Sequence, residues 1–170
     1  NAYAYRLEAA RDTKSISTSL SYAEVGANFN PEMGYLKRED YRKWSGRIFT
    51  RFRPKNNFGL LEMRPHVNYD GYWKLDGRQE SAKWHIDSHW EFRSGFEIHT
   101  GVNLVKEGVF TPFEISPGDT VRKNEYNDKE IQIMIMTNRA KPISFNSRIT
   151  VGGFFGGDRV SGSPTVRLRY

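Results

Sequence analysis

The side chains best suited to chemistry are four histidines and the carboxylates among them. His66, His85, His89 and His99 are the only histidines of the chain. His85, Asp87 and His89 recur at every second residue, so in an extended strand all three share one side. Neutral imidazoles with a carboxylate can hold zinc. Spacing alone does not make a metal centre, because a sequence does not reveal the groups that orient each ring. The default expectation is therefore ion-paired or solvated histidines, with no resident metal and no cofactor. Glu62 and Glu91 are a second pair to consider, since facing carboxylates can act as acid and base. Two carboxylates in open water would do nothing of the kind. No catalytic residue is expected, and a hydrolase stands only as a remote alternative.

The elements that must position these groups have a period of two. From Leu60 to Trp73 one parity reads Leu61, Met63, Pro65, Val67, Tyr69, Gly71, Trp73 and the other Glu62, Arg64, His66, Asn68, Asp70. This is a strand with one apolar and one charged side. The next run repeats the pattern with Ala82, Trp84, Ile86, Trp90 and Phe92 against Lys83, His85, Asp87, His89 and Glu91. Between them Asp76-Gly77 predicts a two-residue type I′ hairpin turn, with both residues at positive φ. In that register Leu75 faces Arg78. The outside pairs are Tyr69–Trp84, Val67–Ile86, Met63–Trp90 and Leu61–Phe92. The inside pairs are Asp70–Lys83, His66–Asp87 and the unfavourable Glu62–Glu91.

Nine strand-like runs can be read in all, and no helix of ten residues. The connections alternate between short (11–14, 54–57, 93–95, 138–142) and longer (26–42, 106–124), and both long loops fall at the same end of the strand stack. Outer-membrane barrels alternate in this way. The polar side would then line a lumen, with Arg47, Arg51, Arg53, Glu62, Arg64, His66, Lys83, His85, Asp87, His89, Glu91 and Arg93 facing it. These charges either select permeating solutes or pair with one another and hold the wall. On the apolar side Tyr69, Trp73 and Trp84 mark one end and Trp90 and Phe92 the other, as interface aromatics do. The span from Trp84 to Phe92 is roughly 20–27 Å along a strand. Tilted by about 40°, it covers roughly 15–20 Å of depth, against an apolar band of about 25 Å.

Composition narrows the function classes. The 170 residues are 37% hydrophobic and 14% aromatic, with a mean hydropathy of −0.72. No window approaches the roughly 20 apolar residues of a spanning helix, and the aromatic content is too high for a disordered chain. There is no Cys, which excludes disulfide scaffolds, thiolate zinc sites and a Cys nucleophile. The net charge of +6 is compatible with anionic partners. The basic residues are not interleaved with stacking aromatics on one face, so no nucleic-acid partner is expected.

Two stretches carry a resemblance. Phe29-Asn30-Pro31-Glu32-Met33-Gly34-Tyr35, with Arg38 and Asp40 following, is one. Phe113-Glu114-Ile115-Ser116-Pro117-Gly118-Asp119-Thr120, followed by Glu125-Tyr126, is the other. Together they resemble the uncharacterised domain found C-terminal to a family-9-like carbohydrate-binding module in Gram-negative surface proteins. Met33 and Tyr35 stand where that family has Val and Phe, and Arg122-Lys123-Asn124 stands where it has a shorter glycine-containing turn. The resemblance implies an outer-membrane barrel in a longer chain with the module upstream, and it implies no catalytic residues. Both stretches lie in the long loops. Their turn formers Asn30-Pro31 and Pro117-Gly118 serve either loop folding over the barrel mouth or ligand contact.

The expectation is an all-β antiparallel up-and-down meander, residues 1–170 forming a segment of one transmembrane β-barrel that belongs to a longer chain. Its location would be the Gram-negative outer membrane. Its partners would be outer-membrane lipid and small polar or sugar solutes, and its role transport or surface display. The alternative is a soluble β-sandwich that binds carbohydrate through its aromatics.

Overall fold

The computed structural model describes residues 2–36, 38–55 and 58–169. Alternating sequence becomes eleven strands: β1 (Ala4–Asp12), β2 (Ile16–Val25), β3 (Tyr41–Thr50), β4 (Leu60–Lys74), β5 (Gln79–Phe92), β6 (Glu97–Val109), β7 (Phe113–Ser116), β8 (Asp119–Val121), β9 (Asn124–Met136), β10 (Ile143–Phe154) and β11 (Gly157–Leu168). Nine of them form one antiparallel meander, β1-β2-β3-β4-β5-β6-β9-β10-β11. The sheet is open: β1 and β11 are its edges and do not pair with each other. No helix long and apolar enough to cross a membrane occurs among the described residues, which says nothing about strands.

The two faces expected from the sequence extend across the sheet. On one, register carries an apolar row from strand to strand: Ile48 faces Val67, Val67 faces Ile86, Ile86 faces Val102, Val102 faces Ile131, and Ile131 faces Val151. β-branched residues dominate this row, as a pleated surface favours. On the other face the register partners are polar, with His66 opposite Asp87, Arg64 opposite His89, and His89 opposite His99.

The central hairpin departs from expectation at both ends. The β4–β5 turn is not type I′. The Gly77 N–H donates to the Lys74 carbonyl and the Lys74 N–H to the Arg78 carbonyl. Gly77 takes φ 93°, whereas Asp76 is not among the positive-φ residues. This is a type I turn closed by a glycine in the left-handed region. A compensating shift follows between Tyr72 and Trp73, which restores the expected pairs from Glu62–Glu91 to Asp70–Lys83. At the far end a second irregularity places Leu60, not Leu61, opposite Phe92. One extra β4 residue is accommodated there, as in a bulge. Of the predicted 54–57 turn, Asn56 and Asn57 lie outside the described residues, as do Lys37 of the first motif and Tyr170 at the end of the last run.

Asp76 tethers the same turn. Its carboxylate accepts from the Arg78 guanidinium at 2.8 Å and the Arg78 N–H at 3.0 Å, which together hold that carboxyl below its ordinary range. Replacing Gly77 should be the more damaging change here. Gly77→Ala forces a Cβ into the left-handed region, at a cost of about 1–2 kcal/mol. A lowered midpoint in urea, with an unchanged slope, would show it; an unchanged midpoint would mean the turn relaxes at no cost.

The long β6–β9 connection folds into a hairpin of its own. β7 and β8 pair through the turn at Pro117-Gly118, with Gly118 at φ 87°. The Gly118 N–H donates to Glu114 at 2.6 Å and the Ser116 hydroxyl to Asp119 at 2.7 Å. Phe113 and Tyr126 both meet the Phe155 ring edge-on, at 5.6 and 5.5 Å. The second motif is therefore a self-tied hairpin against the β10–β11 turn.

Candidate functional site

Three adjacent strands build the densest polar cluster. β4 contributes His66, β5 contributes His85, Asp87 and His89, and β6 contributes Glu97, His99 and Asn103. Asp87 is at the centre, its side chain 2% exposed. Room for it comes from β6, whose register partner is Gly101. A Cβ at Gly101 would stand 3.2 Å from the Asp87 carboxyl carbon and 3.3 Å from the His85 ring. One Asp87 oxygen accepts from the Thr100 N–H at 3.1 Å. The other faces His85 Nε2 at 3.4 Å and His89 Nε2 at 3.7 Å.

Two of the imidazoles, His66 and His85, are oriented by a hydrogen bond at Nδ1. His66 Nδ1 lies 3.0 Å from the Arg64 carbonyl. A carbonyl only accepts, so Nδ1 carries the proton and Nε2 the lone pair. His85 Nδ1 lies 2.7 Å from Asn103 Oδ1. Asn103 is 1% exposed, and its amide donates to Glu130 at 3.1 Å, which fixes the amide oxygen towards His85. His89 Nδ1 faces Glu97 at 3.9 Å. His99 Nε2 bonds Glu97 at 2.7 Å, and its ring stacks on His89 at 3.4 Å.

A charge lattice extends from this cluster to the short-turn end. Arg64 reaches three carboxylates, lying 3.9 Å from Glu62, 3.5 Å from Glu91 and in direct contact with Glu97. Arg53 closes on Glu62 at 2.6 Å. The unfavourable Glu62–Glu91 pairing is thus real in register, and it is bridged by an arginine. On the other side Arg159 pairs with the buried Glu130.

Of the twelve residues expected on the polar side, Arg47, Glu62, Arg64, His66, Lys83, His85, Asp87, His89 and Glu91 lie on strands with that parity. Arg51 and Arg53 lie past the end of β3. Arg51 rests over the Phe49 ring at 5.0 Å. Arg93 lies in the β5–β6 turn, exposed. Asp70 turns to Lys43 at 2.9 Å and Ser45 at 2.6 Å rather than to Lys83, its register partner. The reading of single residues passed over Glu97, Asn103, Glu130 and Arg159. Glu97 and Asn103 share the parity of His99, and that periodicity was the available signal. Glu130 shares the parity of Gln132, opposite Ile131, Ile133 and Ile135, where Met134 and Met136 weaken the same signal.

On the opposite face Tyr69 and Trp84 meet at 4.6 Å, as do Tyr22 and Trp44. Trp73 folds over Gly71, where a Cβ would meet its ring at 2.5 Å. Trp90 lies opposite Met63 and Ile98, and Phe92 meets Phe96 at 6.0 Å. Between the two ends Gly46 leaves a depression of about 630 Å³ lined by Leu20, Trp44, Ile48, Val67, Tyr69 and Trp84.

No protein-family model, no curated protein and no solved structure matches this chain.

Proposed function

We propose that this chain forms part of the wall of an outer-membrane β-barrel, with its polar face towards water and its apolar face towards lipid. One observation carries the reading: burial is inverted between the faces. Asn103, Asp87, Glu62, Glu130 and His66 are 1–8% exposed, while Ile86, Val102, Leu104, Ile131, Ile133, Ile149 and Val151 are 39–61% exposed. A sheet in water does the reverse, since exposed apolar patches of this extent mark a surface that meets something apolar. No second layer covers the face among the described residues. Lipid suits it because the aliphatic residues lie between two groups of aromatics. The resemblance in residues 29–42 and 113–126 supports the same reading.

Closure requires β1 and β11 to pair with each other or with further strands, because a spanning sheet cannot leave an edge in hydrocarbon. Passage of small polar solutes is the role that a charge-lined wet face suits. The test is partitioning. Expressed with an export signal in a Gram-negative host, the chain should stay in urea-washed outer membranes and leave only with detergent. Recovery as a soluble monomer would overturn the reading. The apolar face would then be the core of a soluble sandwich, with sugar the first ligand to try.

A further inference from the structure

We infer that Asp87, His66, His85 and His89 form a binding site for a divalent transition-metal ion, with Zn²⁺ the ion that fits best. The inference rests on the polar face alone and does not depend on what the opposite face meets. Three observations carry it.

The first is an unbalanced charge. The Asp87 side chain is 2% exposed, and its only ion-pairing partners among the described residues are His85 and His89. No lysine or arginine reaches it, although Glu62, Glu97 and Glu130 on the same face each have an arginine. A buried carboxylate needs a cation or a full set of donors, and its hydrogen bond from the Thr100 N–H serves only one oxygen.

The second is convergence. Ligand atoms of His66, Asp87 and His89 lie within 4.8 Å of one another. His85 Nε2 is 3.4 Å from the Asp87 oxygen that Thr100 does not serve, and His89 Nε2 is 3.7 Å from it. Four ligands at zinc–nitrogen and zinc–oxygen distances of about 2.0–2.1 Å stand about 3.3–3.4 Å apart in a tetrahedron. His66, Asp87 and His89 form that converging set, and His85, which lies outside it, approaches the same Asp87 oxygen and would complete the four by a movement of its ring.

The third is the outer layer of contacts. The Nδ1 atoms of His66 and His85 bond the Arg64 carbonyl and Asn103 Oδ1, and that of His89 lies 3.9 Å from Glu97, which a small shift would bring into the same role. Metal-binding histidines present one nitrogen to the ion and the other to an acceptor of this kind. Imidazole nitrogen with one carboxylate oxygen is a donor set that zinc accepts and calcium or magnesium does not favour. Four protein ligands leave no open position, so the ion would pin β4 to β5 rather than carry out catalysis.

The 170-residue chain, folded in detergent and stripped with a chelator, is titrated with Zn²⁺ against a chromophoric competitor, and separately with Co²⁺. One ion should bind per chain, and Co²⁺ should show the intense visible absorption of four-coordinate geometry. Asp87→Asn and His89→Gln should weaken binding at least 100-fold, and Asn103→Leu roughly 10–100-fold through the lost orientation of His85. Strand content by circular dichroism verifies that each variant folds. Two results overturn the proposal. One is a His66→Gln/Asp87→Asn/His89→Gln variant that binds Zn²⁺ as tightly as the unaltered chain. The other is a wild-type chain that binds none. If His99→Gln abolishes binding while Asp87→Asn preserves it, the ion sits instead on His89, Glu97 and His99, and the site proposed here is wrong.

Discussion

Val102→Arg is expected to destabilise the folded chain by about 2–4 kcal/mol in a phospholipid bilayer, the range for arginine at the midplane of a barrel wall. Val102 is mid-strand on β6, 41% exposed, with Ile86 on one side and Ile131 on the other. It therefore lies inside the aliphatic band, one same-face step from the level of Trp84 and two from that of Trp90. The same substitution at the edge of the band should cost less, because a long side chain there snorkels to the headgroups. Lys106 already occupies such a position, paired with Glu125 at 3.2 Å at the long-loop end. The measurement is a urea titration of the chain refolded into vesicles. A penalty that falls from Val102→Arg to Leu104→Arg along β6 would show a depth-dependent medium. A soluble sheet that leaves this face in water would tolerate both changes or gain solubility from them. A soluble sandwich would lose stability at both positions without the depth gradient.

The face assignment was legible because side-chain period in a strand is fixed at two. Once Leu60–Trp73 was read as a strand, the sides of Glu62, His66 and Val67 followed without further information. Where strands end was less legible. Asp76-Gly77 signals a hairpin, but the same dipeptide serves both a two-residue turn and a type I turn with a left-handed glycine. Gly77 at φ 93° suits both, and it is Asp76, which does not take positive φ, that decides between them. Two local irregularities then cancel over the middle of the hairpin. This is why Tyr69–Trp84 and His66–Asp87 pair as expected while Leu61 gives way to Leu60.

The candidate site was legible in part and for the same reason. Parity alone puts His85, Asp87 and His89 together on β5. It does not show that Gly101 opens room beside Asp87, or that Asn103, held by Glu130, turns its oxygen to His85. The room at Gly101 and the facing of Asn103 to His85 depend on the β5–β6 register across the short 93–95 turn, whose closing residues the sequence leaves open. The hold of Glu130 on Asn103 depends on the β6–β9 register, which no turn signal fixes because that connection is long and carries its own hairpin.

Arg64→Met is expected to cost about 3 kcal/mol, the lower end of the penalty for breaking a buried ion pair, since the Arg64 side chain is 23% exposed. Methionine keeps most of the stem and removes the charge. Glu62, Glu91 and Glu97 would then converge on the space the guanidinium had filled, with Arg53 left to serve Glu62 alone. The like-charge pairing of Glu62 with Glu91 would lose its bridge, and such pairs are unfavourable across strands. The loss should be recovered in part by Arg64→Met/Glu97→Gln, because the most intimate partner of Arg64 is Glu97. A double-mutant cycle on the unfolding midpoint measures the coupling. Strong coupling, with the double variant more stable than the single, means that the arginine exists to neutralise the carboxylates. Additive losses would mean that Arg64 stabilises β4 through its aliphatic stem, and that the three glutamates are balanced by water.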